Sequence, residues 1–197
     1  MTPSFLAAGL LTIILAAPIR VAASDPGLYN EAGLRMKQYR APTPAMVPHA
    51  QTVDTSRLRA LLESERPLLI DVLGVTVRPE TAELGAAWLP ADERYSLPGA
   101  VWLPNVGHGT LDLAMRTYLQ THLQRLTGGD RQRPLVFFCV RDCWMSWNAV
   151  QHAHGLGYRN LYWYPGGTDD WRAGGGPLER VDPVPLDFPY QEIRMEY

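Results

Sequence analysis

Four short apolar runs most constrain what this 197-residue chain can become. Leu68-Leu69-Ile70-Asp71-Val72, Ala100-Val101-Trp102-Leu103, Leu135-Val136-Phe137-Phe138 and Leu161-Tyr162-Trp163-Tyr164 are nearly continuous in apolar side chains instead of alternating. A strand that is apolar at successive positions has to be covered on both faces, as inside a parallel sheet. Segments with a helical period separate the runs. Leu111, Met115, Tyr118, Leu119, Leu123 and Leu126 recur at spacings of three or four and predict a helix stopped by Gly128-Gly129. Asp54 and Thr55 cap a shorter helix to about Ser64; Met145 to Leu156 suits a third, and Gly166-Gly167-Thr168 turns into a fourth that holds Trp171. Strands alternating with helices predict an α/β fold, a parallel sheet flanked by helices with right-handed crossovers. Residues 74–98 show no sustained period and read as an irregular connection.

The flanks differ from this core. Phe5 to Ala17 is an uncharged apolar run, too short to span a bilayer comfortably, followed by the small residues Val21-Ala22-Ala23-Ser24. That pattern predicts a secretory signal over residues 1–23 and a periplasmic destination, with no membrane span after cleavage. Residues 24–51 form an N-terminal arm in which Pro42, Pro44 and Pro48 forbid continuous helix, so the arm should run extended across the domain surface. The domain proper is expected over 52–180 and an extended, proline-containing tail over 181–197. The formal charge is −2, and loss of Arg20 with the signal leaves an even more acidic chain. Neither nucleic acid nor an anionic membrane is an expected partner.

Two cysteines, Cys139 and Cys143, are the only ones in the chain. In an oxidising compartment they pair by elimination, yet a bridge closing so short a loop would restrict the unfolded chain only weakly, which favours chemistry over stapling. Cys139 directly follows the third apolar run, and Val140-Arg141-Asp142-Cys143-Trp144 leads into a helix. Ligands of an open parallel sheet meet the loops beyond the carboxyl ends of its strands. Free N–H groups and a helix N-terminus aimed at Cys139 would stabilise its thiolate near neutral pH without a histidine base. Arg141 is a candidate anchor for an anionic substrate or else a solvated loop residue, and Trp144 a candidate wall of the pocket.

The order LLIDVL, SLPGAVWLP, LVFFC followed by loop and helix, and GYRNLYWYPGGTDDWRAGGGPLE resembles a rhodanese domain over about residues 52–180. The resemblance implies that Cys139 accepts a sulfane sulfur as a persulfide and passes it to a thiophilic acceptor. The string CVRDCWMSWNA, with RAPTP upstream and WYPGGTDDW downstream, is similar to an exported rhodanese-like family named for a cysteine-pair-tryptophan motif and for pyrroloquinoline-quinone-dependent catabolism. That similarity implies a place beside a quinoprotein dehydrogenase or its cytochrome c. Trp144 stands where ordinary rhodaneses commonly carry an oxyanion-binding arginine, and Asp142 replaces a flexible glycine, which weighs against thiosulfate as donor. Cys143 could then resolve a Cys139 persulfide or mixed disulfide into an intramolecular bridge.

Three functions stay open: sulfur or disulfide exchange with a small sulfur compound or protein thiol, a non-catalytic accessory module on the same surface, and a thiolate metal carrier. No metal or other cofactor is expected. His108, in the loop after the second apolar run, is a candidate base or third metal ligand but has no ligand spacing around it. Asp71 is expected to receive hydrogen bonds from neighbouring loops. Trp88, Trp102, Trp163 and Trp171 are expected in the core.

Overall fold

Five parallel strands run through the centre of the structure, a computed structural model that describes residues 27–81 and 84–186. The expected signal segment and residues 187–197 of the tail lie outside the described residues. In chain order the elements are β1 (Gln51–Thr52), α1 (Thr55–Ser64), β2 (Leu68–Asp71), β3 (Thr76–Arg78), β4 (Ala87–Leu89), β5 (Arg94–Ser96) and β6 (Val101–Trp102). They continue with α2 (Leu113–Thr127), β7 (Leu135–Phe138), α3 (Trp144–Gly155), β8 (Leu161–Tyr164), α4 (Gly167–Ala173) and β9 (Glu179–Val181). The sheet order is β1-β8-β7-β2-β6. This is the expected α/β architecture, a parallel sheet flanked by helices.

The apolar runs are continuous because both faces are covered. Ile70, Leu135, Phe137, Leu161 and Trp163 pack into one core with the stripes of α2 and α3. Leu69, Val136, Phe138, Tyr162 and Tyr164 pack into the other with Leu58 and Leu61 of α1 and Trp171 of α4. Asp54 caps α1 by accepting from the Arg57 N–H at 2.7 Å, and Asp112 does the same for α2 through Met115 at 2.7 Å. Gly128 closes α2 with φ 63°, a left-handed conformation that costs a glycine nothing. Register aligns Asp71 with Trp102 on one side and Phe138 on the other, and Phe138 with Tyr164. These residues form the row from which the functional loops leave the sheet.

Residues 74–98 are more ordered than their sequence suggests. β3 pairs antiparallel with β4, and β5 pairs antiparallel with β9 from the far end of the domain. Three-residue strands are too short to show a period, so the irregular connection read from the sequence is corrected here. The first part of the tail is extended and pinned. Val184 donates its N–H to the Trp102 carbonyl at 2.9 Å and accepts from Trp88 Nε1 and the Tyr118 hydroxyl, each at 2.7 Å. Trp102, Trp163 and Trp171 are buried and Trp88 half-buried. Among the described residues no helix is long and apolar enough to cross a membrane.

The two-faced core predicts a sharp contrast between substitutions. Phe137→Ala, at a fully buried position of the central strand, should cost about 3–5 kcal/mol through lost burial and a residual cavity. Leu113→Ala, at a site 76% exposed, should change stability by less than about 0.5 kcal/mol. Urea unfolding of the two variants measures both; comparable losses would contradict this packing.

Candidate functional site

The loop between β7 and α3 is bent so that its two ends meet. Cys139 follows Phe138 at the carboxyl end of β7, and its carbonyl accepts from the Thr168 N–H at 3.1 Å and from Arg94 Nη2 at 3.3 Å. Val140 bridges to Gly167, whose φ is +54°. A Cβ at Gly167 would collide with the Cys139 carbonyl, so the Gly-Gly turn is fixed by its close approach to the cysteine loop. The Arg141 N–H donates to Asp169 Oδ2 at 3.0 Å, and Asp142 then adopts φ 56°, a left-handed conformation that aspartate tolerates. That reversal makes Cys143 the residue before α3 and returns its sulfur to within 2.8 Å of the Cys139 sulfur.

The electrostatics of the pair are the opposite of the sequence expectation. Cys139 is fully buried, and desolvation, the neighbouring Cys143 sulfur and the charge of Asp71 push its thiol well above the ordinary value. The Val140 N–H acts in the opposite direction, and the first amides of the helix act on Cys143 instead. Cys143 receives the stabilisation instead. The hydrogen bond from Cys139 lowers it most; the Met145 and Ser146 amides and the charge of Arg40 add to this, against the cost of burial. Those amides face the sulfur without closing a capping bond of ordinary geometry. The arrangement makes Cys139 the hydrogen-bond donor and Cys143 the more acidic sulfur of the pair.

Asp71 is buried at the end of β2 and receives the hydrogen bonds expected of it. Ser96 Oγ donates at 2.6 Å, Arg94 Nε at 2.8 Å and the Leu73 N–H at 3.0 Å. Burial raises its carboxyl above the usual range and the Arg94 charge opposes that rise. Arg94 therefore ties the buried acid to the Cys139 carbonyl, a role the sequence did not reveal because β5 had no visible pattern.

The arm closes over the pair. Arg40 forms an antiparallel bridge with Cys143, the Ala41 N–H donates to the Asp142 carbonyl at 3.0 Å, and the Trp144 N–H donates to the Tyr39 carbonyl at 2.9 Å. Trp144 Nε1 donates to the Pro42 carbonyl and Trp147 Nε1 to the Met46 carbonyl, each at 3.1 Å. Farther along, buried Asn148 grips the arm from both sides, accepting from the Arg35 N–H at 3.0 Å and donating to the Arg35 carbonyl at 2.8 Å. The Arg35 guanidinium lies over Trp144, 4.9 Å from its ring centre. The result is a seal, with Cys143 itself only 2% exposed.

The remaining candidates are placed differently from one another. Trp144 lies beside the cysteines but packs beneath the arm between Tyr29 and Trp147, so it belongs to the seal and not to an open pocket wall. Arg141 points to the surface and pairs with Asp170 of α4, leaving its charge already engaged. His108 stacks on Tyr39, and burial lowers its proton affinity against the opposing charge of Asp112. No cluster of histidine, cysteine and acidic residues suited to a metal ion occurs among the described residues. Asn148 and Arg35 went unrecognised in sequence, although an asparagine inside the apolar stretch MSWNAV was a usable signal, since buried amides need partners.

A parallel α/β domain whose central strand ends in a cysteine-bearing loop that leads into the next helix defines the structural class. The chain belongs to the rhodanese-like domain family, whose model matches residues 54–174. The human single-domain sulfurtransferase TSTD1 is 25% identical over 63% of this chain and 96% of its own, with a TM-score of 0.39. A thiosulfate sulfurtransferase from Pseudomonas aeruginosa is 21% identical over 82% of this chain and 26% of its own, with a TM-score of 0.47. The Alr3790 protein from Anabaena sp. is 18% identical over 66% of this chain and 80% of its own, with a TM-score of 0.41. No curated protein matches the chain.

Two measurements test the site. Iodoacetamide labelling followed by peptide mapping should modify Cys143 first, its rate rising with pH and levelling off below the range of an ordinary thiol, while Cys139 remains protonated and slow. Preferential labelling of Cys139 at neutral pH would contradict the assignment. A Cβ at Gly109 would strike the Arg35 carbonyl of the arm, so Gly109→Ala should loosen the seal and speed labelling about tenfold. Unchanged labelling in a folded variant would show that the arm does not limit access.

Proposed function

We propose that the Cys139–Cys143 pair carries out sulfur transfer or thiol–disulfide exchange, in a protein exported to the periplasm in support of pyrroloquinoline-quinone-dependent alcohol oxidation. Membership in the rhodanese-like family suggests sulfur transfer as the general chemistry. The observation that carries the reading is the 2.8 Å approach of two thiols of opposite acidity at the end of the central strand. One sulfur is favoured as nucleophile, and the other is held protonated beside it.

The exchange balances without a further reagent. The Cys143 thiolate attacks one sulfur of a substrate disulfide, forming a mixed disulfide and expelling the first substrate sulfur as thiolate. Cys139 then attacks the Cys143 sulfur; its proton passes to the second departing substrate sulfur, and the Cys139–Cys143 bridge forms. The substrate disulfide is reduced by two electrons and the protein pair oxidised by two. With a persulfide donor the first step leaves a persulfide on Cys143, and closure of the bridge releases hydrosulfide. The arm must lift for either reaction, and Arg40 lifts with it, so the charge that favours the Cys143 thiolate is present in the closed state.

A second reading is favoured by the seal itself. An arm that buries both cysteines, and an Arg141 already paired with Asp170, suit an accessory module that assists a quinoprotein dehydrogenase or its cytochrome c without turnover. Mass spectrometry after incubating the reduced protein with glutathione disulfide, and separately with a persulfide donor, separates the readings. Exchange predicts loss of two hydrogens in the wild type, a persistent Cys143 adduct in Cys139→Ser and no adduct in Cys143→Ser. The mirror-image pattern would assign first attack to Cys139. An unmodified wild type would leave the accessory role.

A further inference from the structure

A cavity of about 400 Å³ lies near the carboxyl end of α3, two to three helical turns from the cysteines, between the arm, α2 and α3. Its apolar lining comes from Leu34 of the arm, Leu111 and Leu119 at α2, and Leu156 after α3. Two polar groups at its wall have no protein partner among the described residues, one buried and one exposed. The Gln151 Nε2 is buried without a hydrogen-bond partner, an arrangement that native proteins rarely leave unsatisfied. The Arg116 guanidinium has no hydrogen bond or ion pair among the described residues, its backbone N–H alone being engaged with Asp112.

The other polar groups at the wall are already occupied. Asn30 donates to the Gly109 carbonyl and accepts from the Leu34 N–H. His152 Nε2 is 2.8 Å from the His108 carbonyl, and burial together with the Arg116 charge disfavours its protonated form. The carboxyl end of α3 also faces this space and would by itself repel an anion. Its carbonyls are largely taken, however: those of His152 and Ala153 by the Leu156 N–H, that of His154 by the Gly157 N–H and Arg159, and that of Leu156 by Arg131. What stays unmatched is the positive charge of an exposed arginine and one buried amide with two N–H donors, above an apolar floor.

We propose that this cavity binds a small organic carboxylate, its oxygens between the Arg116 guanidinium and the Gln151 amide and its apolar body against the leucines. A single cation beside an imidazole whose protonated form is disfavoured suits one negative charge better than two, which favours a carboxylate over a phosphate dianion. The apolar floor requires a carbon body, and the volume lies within the range of small-ligand pockets. The site is independent of the thiol chemistry. Because Leu34 belongs to the arm, an occupant would touch the same segment that seals the cysteines.

The probe is butyrate, titrated into the folded full-length protein and followed by ¹H–¹⁵N NMR and calorimetry, with butyramide and inorganic phosphate as comparisons. Saturable butyrate binding should shift the Gln151 side-chain amide, and butyramide should bind about tenfold more weakly, the worth of a charge-assisted hydrogen bond. Arg116→Met, which keeps the apolar stem at an exposed position, should weaken butyrate about tenfold without altering thermal unfolding. Gln151→Leu should weaken it several-fold. No saturable shift, equal binding of butyramide, phosphate binding as tightly as butyrate, or indifference to Arg116→Met would each overturn the proposal.

Discussion

A helix that begins immediately after a cysteine has more N–H groups in its first turn than it can satisfy, and this surplus organises the structure around the site. In α3 the Trp144 N–H is taken by the Tyr39 carbonyl from outside the domain core. The next amides, of Met145 and Ser146, face the Cys143 sulfur. The first turn therefore does two things: one amide anchors the arm, and the next two add to the hydrogen bond from Cys139 in making Cys143 the more acidic sulfur. The indoles of Trp144 and Trp147 extend the anchorage by donating to arm carbonyls. An extended segment carrying prolines suits this use, because its carbonyls are not consumed by secondary structure of its own.

The acid buried at the end of β2 works in the same neighbourhood from the other side. Asp71 is held by Ser96, Arg94 and the Leu73 N–H, and Arg94 passes on to the Cys139 carbonyl. The carbonyl end of the cysteine loop is thus fixed by a cation and its amide end by a helix. Desolvation and the Asp71 charge keep Cys139 protonated, and a protonated neighbour is what the more acidic sulfur needs as a hydrogen-bond donor. The difference between the two thiols comes from placement alone, since their side chains are identical.

The sheet was legible because its strands are buried on both sides and so are written as unbroken apolar runs; Phe137 and Phe138 look alike in sequence although they enter opposite cores. The helices were legible from their stripes and caps. β3, β4 and β5 were not, since three residues carry no period and β5 depends on a partner in the tail. At the site, the presence of a cysteine pair was plain, but its polarity was not. Which sulfur meets the helix amides depends on the left-handed turn at Asp142, a conformation that aspartate permits without announcing. The destination of the arm was equally hidden, because it is written in backbone carbonyls and in Gly107 and Gly109, where an added Cβ would strike Met145 or the arm itself.

The arm also imposes a sequence of events on the chain. Its hydrogen-bond partners lie 70 to 113 residues downstream, so it emerges early in synthesis and has nothing to dock on until the β7–α3 region has formed. Closing so long a loop earns no contacts until the receiving surface exists. The sheet can therefore assemble while the two sulfurs are still uncovered. The redox state of the pair at the moment the arm docks is then the state that is sealed, and pulse-labelled hydrogen exchange would record the interval as late protection of the Ala41 and Trp144 amides.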